Sequence, residues 1–294
     1  MRTIDLHTHS NASDGTLSPS RLIRQAFDAG LCAVALTDHD TADGLLEAEA
    51  AVRDILSQGE NVDFQFIPGI ELSVSYENYE LHLVGLHLDI HSDGFSQTLK
   101  KLQDNRDKRN EKMIACMQAA GMDITMEALR ADQGGGVLTR ANFASYMLHK
   151  GYIKTIQEGF DKYLDRDKPF FIPREYLSPQ EAIHLIHQAR GLAVLAHPLV
   201  YGMDISTLEK AVFHLAGLGL DGLEAYYSMN RGHDTVHMKT LAKKYRLVLS
   251  GGSDFHGDNK PYIKIGRGRG NLYVPAQILE QQKAYLSEKT ASGL

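Results

Sequence analysis

Cysteines are rare in this chain, and long apolar runs are missing from it. The two cysteines, Cys32 and Cys116, lie far apart and fit no metal-binding or redox spacing. Both stand in apolar surroundings, which is typical of core thiols in a reducing cytoplasm. No apolar run approaches the length that a bilayer requires, and the first residues enter a polar strand directly. We therefore expect a cytoplasmic protein that has no membrane partner.

The chain is also short of positive charge. Its 31 lysines and arginines face 37 aspartates and glutamates, and the formal net charge of −6 argues against broad, nonspecific nucleic-acid binding. The deficit is uneven, because residues 100–175 hold 14 basic and 11 acidic residues whereas the remainder holds 17 and 26. The central segment is therefore the basic part of an acidic protein.

Apolar segments of strand length alternate with helical segments along most of the chain. The segments with strand character are Thr3–His7, Leu31–Thr37, Phe64–Leu72, Leu81–Leu88, Leu192–Ala196, Gly222–Tyr226, Leu247–Ser250 and Asn271–Val274. This alternation predicts a parallel, barrel-like sheet with helices outside it. Between residues 94 and 173 the composition is helical and no strand pattern occurs. We therefore predict an α/β fold with two domains: a distorted βα barrel formed by residues 1–93 and 174–294, and a helical insertion, residues 94–173, over the carboxyl ends of the strands.

Metal-binding residue types recur where these strands end. His7 and His9 are two apart, which on a strand places both imidazoles on one face. Because the carboxyl ends of barrel strands form one face, we expect the polar residues there to converge. Six histidines and three carboxylates form this set: His7, His9, Asp14, His39, Glu71, His82, His197, Asp254 and His256.

Divalent cations would explain how so many ionisable groups are buried together. Without partners, their desolvation would cost several kcal/mol each, on the order of the usual penalty for buried charges. Nine ligands suffice for three ions with about three protein ligands each. We predict two to three ions of manganese, zinc or iron, since six imidazoles disfavour an all-magnesium site. Three ions and three carboxylates would leave a positive pocket that attracts phosphate and lowers the pKa of a bridging water.

Four short motifs give the chain a resemblance to a known family. It is similar to the polymerase and histidinol phosphatase (PHP) superfamily of metal-dependent phosphoesterases, and to its branch with a helical insertion. The resemblance implies a distorted (β/α)7-type barrel and, in this branch, nucleoside 3′,5′-bisphosphate or 5′-nucleotide phosphatases and 5′→3′ exoribonucleases. The motifs read His7-Thr8-His9 with Asp14, Thr37-Asp38-His39-Asp40, Ala196-His197-Pro198 and Ser253-Asp254-Phe255-His256.

The resemblance also implies how the ligands are divided and which residues are catalytic. One ion would be held by His7, His9, Glu71 and Asp254, and a second by Glu71, His82 and His197. A third would be held by Asp14, His39 and His256. The implied catalytic set is His7, His9, Glu71, His197 and Asp254, around a hydroxide that two ions share. Arg140 and Lys168, in the basic insertion, match positions where relatives place substrate-binding charges.

The predicted function is hydrolysis of a nucleotide phosphate monoester (EC 3.1.-). We favour a small nucleotide over a polynucleotide, because a net charge of −6 leaves no extended track for a strand. Three alternatives stay open: an exoribonuclease that acts on short RNA 5′ ends, a histidinol-phosphate phosphatase, and an inactive scaffold or binding module. The complete ligand set argues against the last one. The sequence leaves the oligomeric state open.

Two other motifs receive little weight. His233 and His237 lie four apart on a predicted helix, but Asp234 replaces the glutamate of a zinc-protease motif. Residues 266–270 read Gly-Arg-Gly-Arg-Gly, which is compatible with nucleic-acid contact but short.

Overall fold

The computed structural model describes residues 2–57, 59, 63–90, 92, 95–133, 136–173 and 175–292. Within these residues, seven strands form one sheet in chain order. Their bounds are β1 (Ile4–Asp5), β2 (Ala33–Leu36), β3 (Gln65–Tyr76), β4 (Tyr79–Leu86), β5 (Leu192–Leu195), β6 (Gly222–Tyr227) and β7 (Val248–Gly252).

The sheet closes on itself to form a nearly complete barrel. The amide of Leu6, just after β1, donates to the carbonyl of Gly251 in β7 at 3.1 Å, and the Asp254 amide donates to the His7 carbonyl at 2.9 Å. The first strand thereby lies beside the last, so that motifs from both ends of the sequence meet at one mouth of the barrel. The predicted barrel class is confirmed.

The expectation of a wholly parallel sheet is wrong at β4. This strand pairs antiparallel with both β3 and β5. A two-residue turn at Glu77 and Asn78 joins β3 to β4, and Glu77 adopts a φ of 51°. A tight hairpin requires antiparallel strands. As a result, the beginning of β4, which carries His82, lies beside Ser73 near the carboxyl end of β3.

The helices surround this barrel and fill the segment between β4 and β5. Ser18 caps the first helix by accepting a hydrogen bond from the Arg21 amide, with Pro19 at the first helical position. The bounds are α1 (Pro19–Asp28), α2 (Leu45–Ser57), α3 (Phe95–Ala119), α4 (Met126–Gln133), α5 (Arg140–His149), α6 (Ile156–Gly159), α7 (Pro179–Gln188), α8 (Ile205–Gly217), α9 (Asp234–Lys244) and α10 (Gln277–Ser292).

The helices α3 to α6 share an apolar cluster of their own. Its buried members all lie between Met113 and Phe170. A π-helix, Phe160–Leu164, continues α6. The amide of Val137 donates to the Ala12 carbonyl at 2.8 Å, which places this helical segment on the loop after β1. The division into two domains stays a prediction, and residues 93, 94 and 174 at its boundaries lie outside the described residues.

One strand predicted near the carboxyl terminus is absent from the described residues, and so is a helix that could span a bilayer. The predicted strand Asn271–Val274 does not form; Val274 instead accepts one hydrogen bond from the Ile4 amide at 3.1 Å. Among the described residues, every helix is too short or too polar to span a bilayer. The cytoplasmic location stays a prediction.

Gly252 sits where the closure of the barrel leaves no room for a side chain. A Cβ there would lie 2.3 Å from the His7 Cβ and 2.5 Å from the His7 amide nitrogen. We expect Gly252→Ala to lower the free energy of unfolding by about 1–3 kcal/mol or more, the usual cost of overpacking. Thermal and urea unfolding measure this change.

Gly217, in α8, provides the matched control. A Cβ at this position meets no atom within 4 Å, and alanine is the better helix former. Gly217→Ala should therefore leave stability unchanged or raise it slightly. Equal unfolding midpoints for Gly252→Ala and the wild type would contradict the close contact between β7 and His7.

Candidate metal centre

All nine side chains predicted as metal ligands meet at one mouth of the barrel. The two imidazoles that follow β1 lie with ring centroids 5.2 Å apart, as their spacing predicted. Seven of the nine residues are buried, while His39 and His82 keep 12% and 22% of their side chains exposed. The cluster is therefore reachable from the side on which these two imidazoles lie.

Glu71 is the common contact of five imidazoles. Its Oε2 lies 3.3 Å from His7 Nε2, 3.2 Å from His9 Nε2 and 3.3 Å from His39 Nδ1. Its Oε1 lies 2.9 Å from both His82 Nδ1 and His197 Nε2. This carboxylate lies in the middle of β3 and is 1% exposed.

The other two carboxylates extend the cluster on either side of His9 and His256. Asp254 Oδ1 lies 3.5 Å from His9 Nε2 and 3.3 Å from His256 Nδ1. Asp14 Oδ1 lies 3.2 Å from His256 Nε2, and Asp14 Oδ2 lies 3.8 Å from His39 Nε2. The stacked rings of His9 and His256, with centroids 4.1 Å apart, join the two carboxylates.

Among the described residues, three groups of ligand atoms lie close enough to hold an ion, with all atoms of a group within 4.8 Å of one another. One group is the predicted third set, Asp14, His39 and His256, with His9 added. Another contains Glu71 and His82 of the predicted second set, with His39 in place of His197. The division of ligands among ions stays a prediction. The groups are His9, Asp14, His39 and His256; His7, His9 and Glu71; and His39, Glu71 and His82.

Several buried ring nitrogens have the surroundings of metal ligands. Within the described part of the chain, His7 Nε2, His9 Nε2 and His39 Nδ1 are fully buried and accept or donate no hydrogen bond. These three nitrogens surround one oxygen, Glu71 Oε2. Unpaired buried polar atoms are costly, and divalent ions with mixed nitrogen and oxygen ligands remove that cost. The residues therefore fit a metal centre.

The electrostatics of the cluster favour the metal-binding forms of Glu71, His39 and His9. Burial would raise the pKa of Glu71, but the surrounding imidazoles outweigh it and hold this pKa well below its usual range. Burial lowers the pKa of His39 to about 4, although Glu71 and Asp14 act in the opposite direction. Burial and the neighbouring His256 lower the pKa of His9 well below its usual range. For His82 and His7 burial acts in the same direction, but the Glu71 carboxylate outweighs it, so that the pKa of His82 rises to about 9 and that of His7 rises well above its usual range. An ionised carboxylate and neutral imidazoles are the forms that bind metal.

Two of the candidate ligands occupy backbone conformations that are unusual for residues with side chains. His197 has a φ of 28° and Asp254 a φ of 56°. Such conformations cost about 1–3 kcal/mol each and cluster at functional sites. In both cases the ligand lies two residues after the end of a barrel strand, β5 or β7, and its side chain lies in the mouth of the barrel.

Several residues that support the ligands were missed in the sequence. Glu224, inside β6, lies 3.1 Å from His7 Nδ1 through Oε1 and accepts a hydrogen bond from the His197 amide through Oε2 at 2.6 Å. Tyr227 and Lys260 donate to Asp254 Oδ2 at 2.8 and 2.7 Å. In the sequence, Glu224 could have been recognised as a single carboxylate within the apolar strand β6. Such contacts fix the orientation of metal ligands.

Of the two predicted substrate-binding residues, one lies at the cluster. Arg140, at the first position of α5, borders a cavity of about 170 Å³ that His39, His82 and Asp14 also line. Its Nη2 donates to Glu80 Oε2 at 2.6 Å. Lys168 lies exposed in the turn after the π-helix and is not among the residues that line this cavity. Both roles stay predictions. Arg106, in α3, lines the cavity as well, paired with Asp40.

Comparison with known proteins gives a consistent result. The family model "PHP domain" matches residues 5–177. The chain is 33% identical to the 5′-3′ exoribonuclease Rnm of Salmonella typhimurium over 93% of this chain and 90% of that protein. It is 34% identical to the 3′,5′-nucleoside bisphosphate phosphatase of Chromobacterium violaceum over 90% and 91%. A crystal structure from Bifidobacterium adolescentis, provisionally described as a metal-dependent phosphoesterase, matches with a TM-score of 0.83 at 25% identity over 96% of both chains.

We expect Glu71→Gln to reduce the metal bound per chain, because the substitution removes the charge that five imidazoles share while it keeps the side-chain shape. Inductively coupled plasma mass spectrometry after dialysis at fixed free metal measures this. Glu280→Gln is the control, since this side chain is 71% exposed. Equal metal contents in Glu71→Gln and wild type would rule out Glu71 as the shared ligand.

Glu224→Gln should weaken metal binding without abolishing it. The substitution replaces one of the carboxylate oxygens that orient His7 and His197. Loss of such an outer contact costs about 10- to 100-fold in metal affinity. Competition with a chromogenic chelator measures the affinity, and an unchanged dissociation constant would contradict the orienting role.

Proposed function

This chain belongs to the PHP domain family and is a metal-dependent phosphoesterase, and we propose that it hydrolyses a phosphate ester of a nucleotide. The observation that carries the proposal is the small cavity beside the metal centre, which brings two guanidinium groups and an aromatic ring next to three candidate ligands. Its lining is Asp14, His39, Ser73, Glu80, His82, Arg106, Thr139, Arg140, Ala141 and Phe160.

The two arginines supply positive charge where the phosphate would lie. Arg140 uses one nitrogen for Glu80 at 2.6 Å and stacks over the Phe171 ring with its Cζ 5.6 Å from the centroid. A guanidinium has five N–H donors, so one ion pair leaves donors for a phosphate. Arg106 is 4% exposed and its pairing with Asp40 holds it at the wall of the cavity.

A nucleobase has a fitting partner in the same cavity. Phe160 opens the π-helix and is partly exposed there. An aromatic ring stacks on any base, typically with about 1–3 kcal/mol per base. Because the cavity holds only about 170 Å³, it suits a terminal phosphate and its immediate surroundings. Larger parts of a substrate would extend beyond it.

We propose that the centre takes two to three divalent ions of manganese, zinc or iron, held by the nine ligands named above. When bound, such ions supply a deprotonated water at neutral pH and neutralise phosphate charge. The chain's own residues would do the rest. Arg140 and Arg106 would hold the phosphate oxygens, while Glu224 and Tyr227 keep His7 and Asp254 oriented. Asp14 would be steadied by Thr139, whose hydroxyl donates to it at 2.9 Å.

The second candidate is 5′→3′ removal of nucleotides from short RNA. The similarity to Rnm supports it as strongly as the similarity to the bisphosphate phosphatase supports the first. A histidinol-phosphate phosphatase is disfavoured, since neither relative is described as one. An inactive scaffold is disfavoured, because all nine candidate ligands are present and seven of them fall in groups that could hold an ion.

A substrate panel tests the proposed function. Phosphate release from adenosine 3′,5′-bisphosphate, adenosine 5′-monophosphate and histidinol phosphate, and nucleotide release from a short oligoribonucleotide, are measured with manganese or zinc and again after chelation. We expect activity on a nucleotide substrate that chelation removes and metal restores. Cleavage of histidinol phosphate alone, or full activity without metal, would overturn the proposal.

Arg140→Ala should raise KM about 10- to 100-fold, because each lost charge-assisted hydrogen bond costs about 1.5–3 kcal/mol, while the metal content stays unchanged. Arg130→Ala is the control, since Arg130 carries the same charge but pairs with Asp107 at the surface, where its side chain is 42% exposed. Steady-state kinetics at saturating metal measure the effect. Equal KM values for the two variants would remove Arg140 from the substrate site.

A further inference from the structure

A second basic region lies outside the helical segment, close to the metal centre. From Asn259 to Leu279 the sequence contains no acidic residue but four basic ones, in a protein whose net charge is −6. We name residues 260–273 the basic strap. Its charged members are Lys260, Lys264, Arg267 and Arg269, and its aromatic members are Tyr262 and Tyr273.

The basic strap is a folded surface element. The amides and carbonyls of Lys264 and Gly268 exchange two hydrogen bonds of 2.8 Å, which close a small hairpin. Lys264, Arg267 and Arg269 are exposed on it. The Arg269 guanidinium carbon lies 4.6 Å from the ring centroid of Tyr262, and Tyr262 itself is 54% exposed. The hairpin therefore concentrates positive charge beside an accessible ring.

The basic strap is tied to the metal centre at its beginning. It starts six residues after the candidate ligand Asp254, and the ammonium of Lys260 donates to Asp254 Oδ2 at 2.7 Å. Tyr227 contacts the same oxygen at 2.8 Å. Tyr227 also lines the cavity at the far end of the strap.

At its far end the basic strap forms one wall of a second cavity, of about 350 Å³. Asn271, Leu272 and Tyr273 face residues of β6 and of the loop after it, including Tyr227 and Arg231. The Asn271 side chain donates to the carbonyls of Ser228 and Asn230 at 3.2 and 3.3 Å, which fixes this wall. Tyr273 is 41% exposed. The cavity thus places the Tyr273 ring and the Arg231 guanidinium near Tyr227, which contacts the candidate ligand Asp254.

We propose that the basic strap and this cavity bind single-stranded RNA beyond the nucleotide that occupies the metal centre. Proteins that bind single strands combine a positively charged path with aromatic rings on which bases stack. Tyr262 and Tyr273 supply the rings, and the exposed Lys264, Arg267 and Arg269 supply the charge. The link between the strap and the candidate ligand Asp254 favours a strand that continues from the substrate over an unrelated acidic protein surface. This inference rests on the proposed function, because it assigns that site a longer substrate. A local path of this kind compensates for the acidic remainder of the chain.

The test compares a long and a short substrate of one enzyme. The triple variant Lys264→Ala, Arg267→Ala, Arg269→Ala should lower kcat/KM for a short oligoadenylate about 10-fold or more, and for adenosine 3′,5′-bisphosphate less than about twofold. The slope of log affinity against log salt for the oligoadenylate should fall by about 2, since each single-strand contact contributes roughly 0.7.

A variant that loses the same charge elsewhere and a direct binding measurement serve as controls. Lys101→Ala, Lys108→Ala, Lys112→Ala removes the same charge from exposed positions on α3 and should leave both substrates unaffected. Fluorescence anisotropy of the holoenzyme with a fluorescein-labelled phosphorothioate oligoadenylate reports binding even where neither substrate is cleaved, so failure of the proposed function is seen separately. Equal binding by the strap variant and the wild type, or an equal loss in the α3 control, would overturn the inference. Tyr273→Ala should weaken the same oligoadenylate without a change of charge.

Discussion

The contact between one buried carboxylate and five imidazoles is the constraint on which the site depends. Glu71 lies in the centre of β3 at 1% exposure, with ring nitrogens of His7, His9, His39, His82 and His197 within 3.3 Å of its two oxygens. No apolar core could hold such a group at low cost. Cations shared among these ligands turn an expensive burial into a stable arrangement, and the same cations give the mouth of the barrel its attraction for phosphate.

The connections between the strands of the barrel bring these groups together. Closure of β7 against the segment after β1 joins motifs from the two ends of the chain, and the hairpin between β3 and β4 places His82 beside the end of β3. The helical segment contributes what the barrel lacks. Thr139, Arg140 and Arg106 reach the mouth from α3 and the start of α5, so the metal centre comes from one part of the chain and the surrounding positive charge largely from another.

Sequence reasoning located the ligands because each one stands near an end of a predicted apolar strand, and strand ends in a barrel share a face. For Glu71 and His82 the predicted ends, Leu72 and Leu81, were too early and too late, because β3 and β4 extend past them to Tyr76 and Tyr79. It missed the β3–β4 hairpin because the turn at Glu77 and Asn78 lacks the glycine that usually marks a left-handed residue. It missed Glu224 because a carboxylate inside a strand has no spacing to identify it. Arg106 stands among interleaved charges of α3, and only the packing of that helix onto Asp40 separates it from its neighbours. Contacts of this kind arise only in the folded structure and leave no local pattern in the sequence.

The central claim is that divalent ions lie among these nine side chains. X-ray diffraction from crystals grown with manganese, with anomalous data recorded on both sides of the manganese absorption edge, tests it most directly. The account predicts two or three anomalous peaks at ligand distance from the cluster, one of them bound to Glu71. A well-ordered crystal with no anomalous peak near Glu71, from a preparation that is fully active in manganese, would contradict the account.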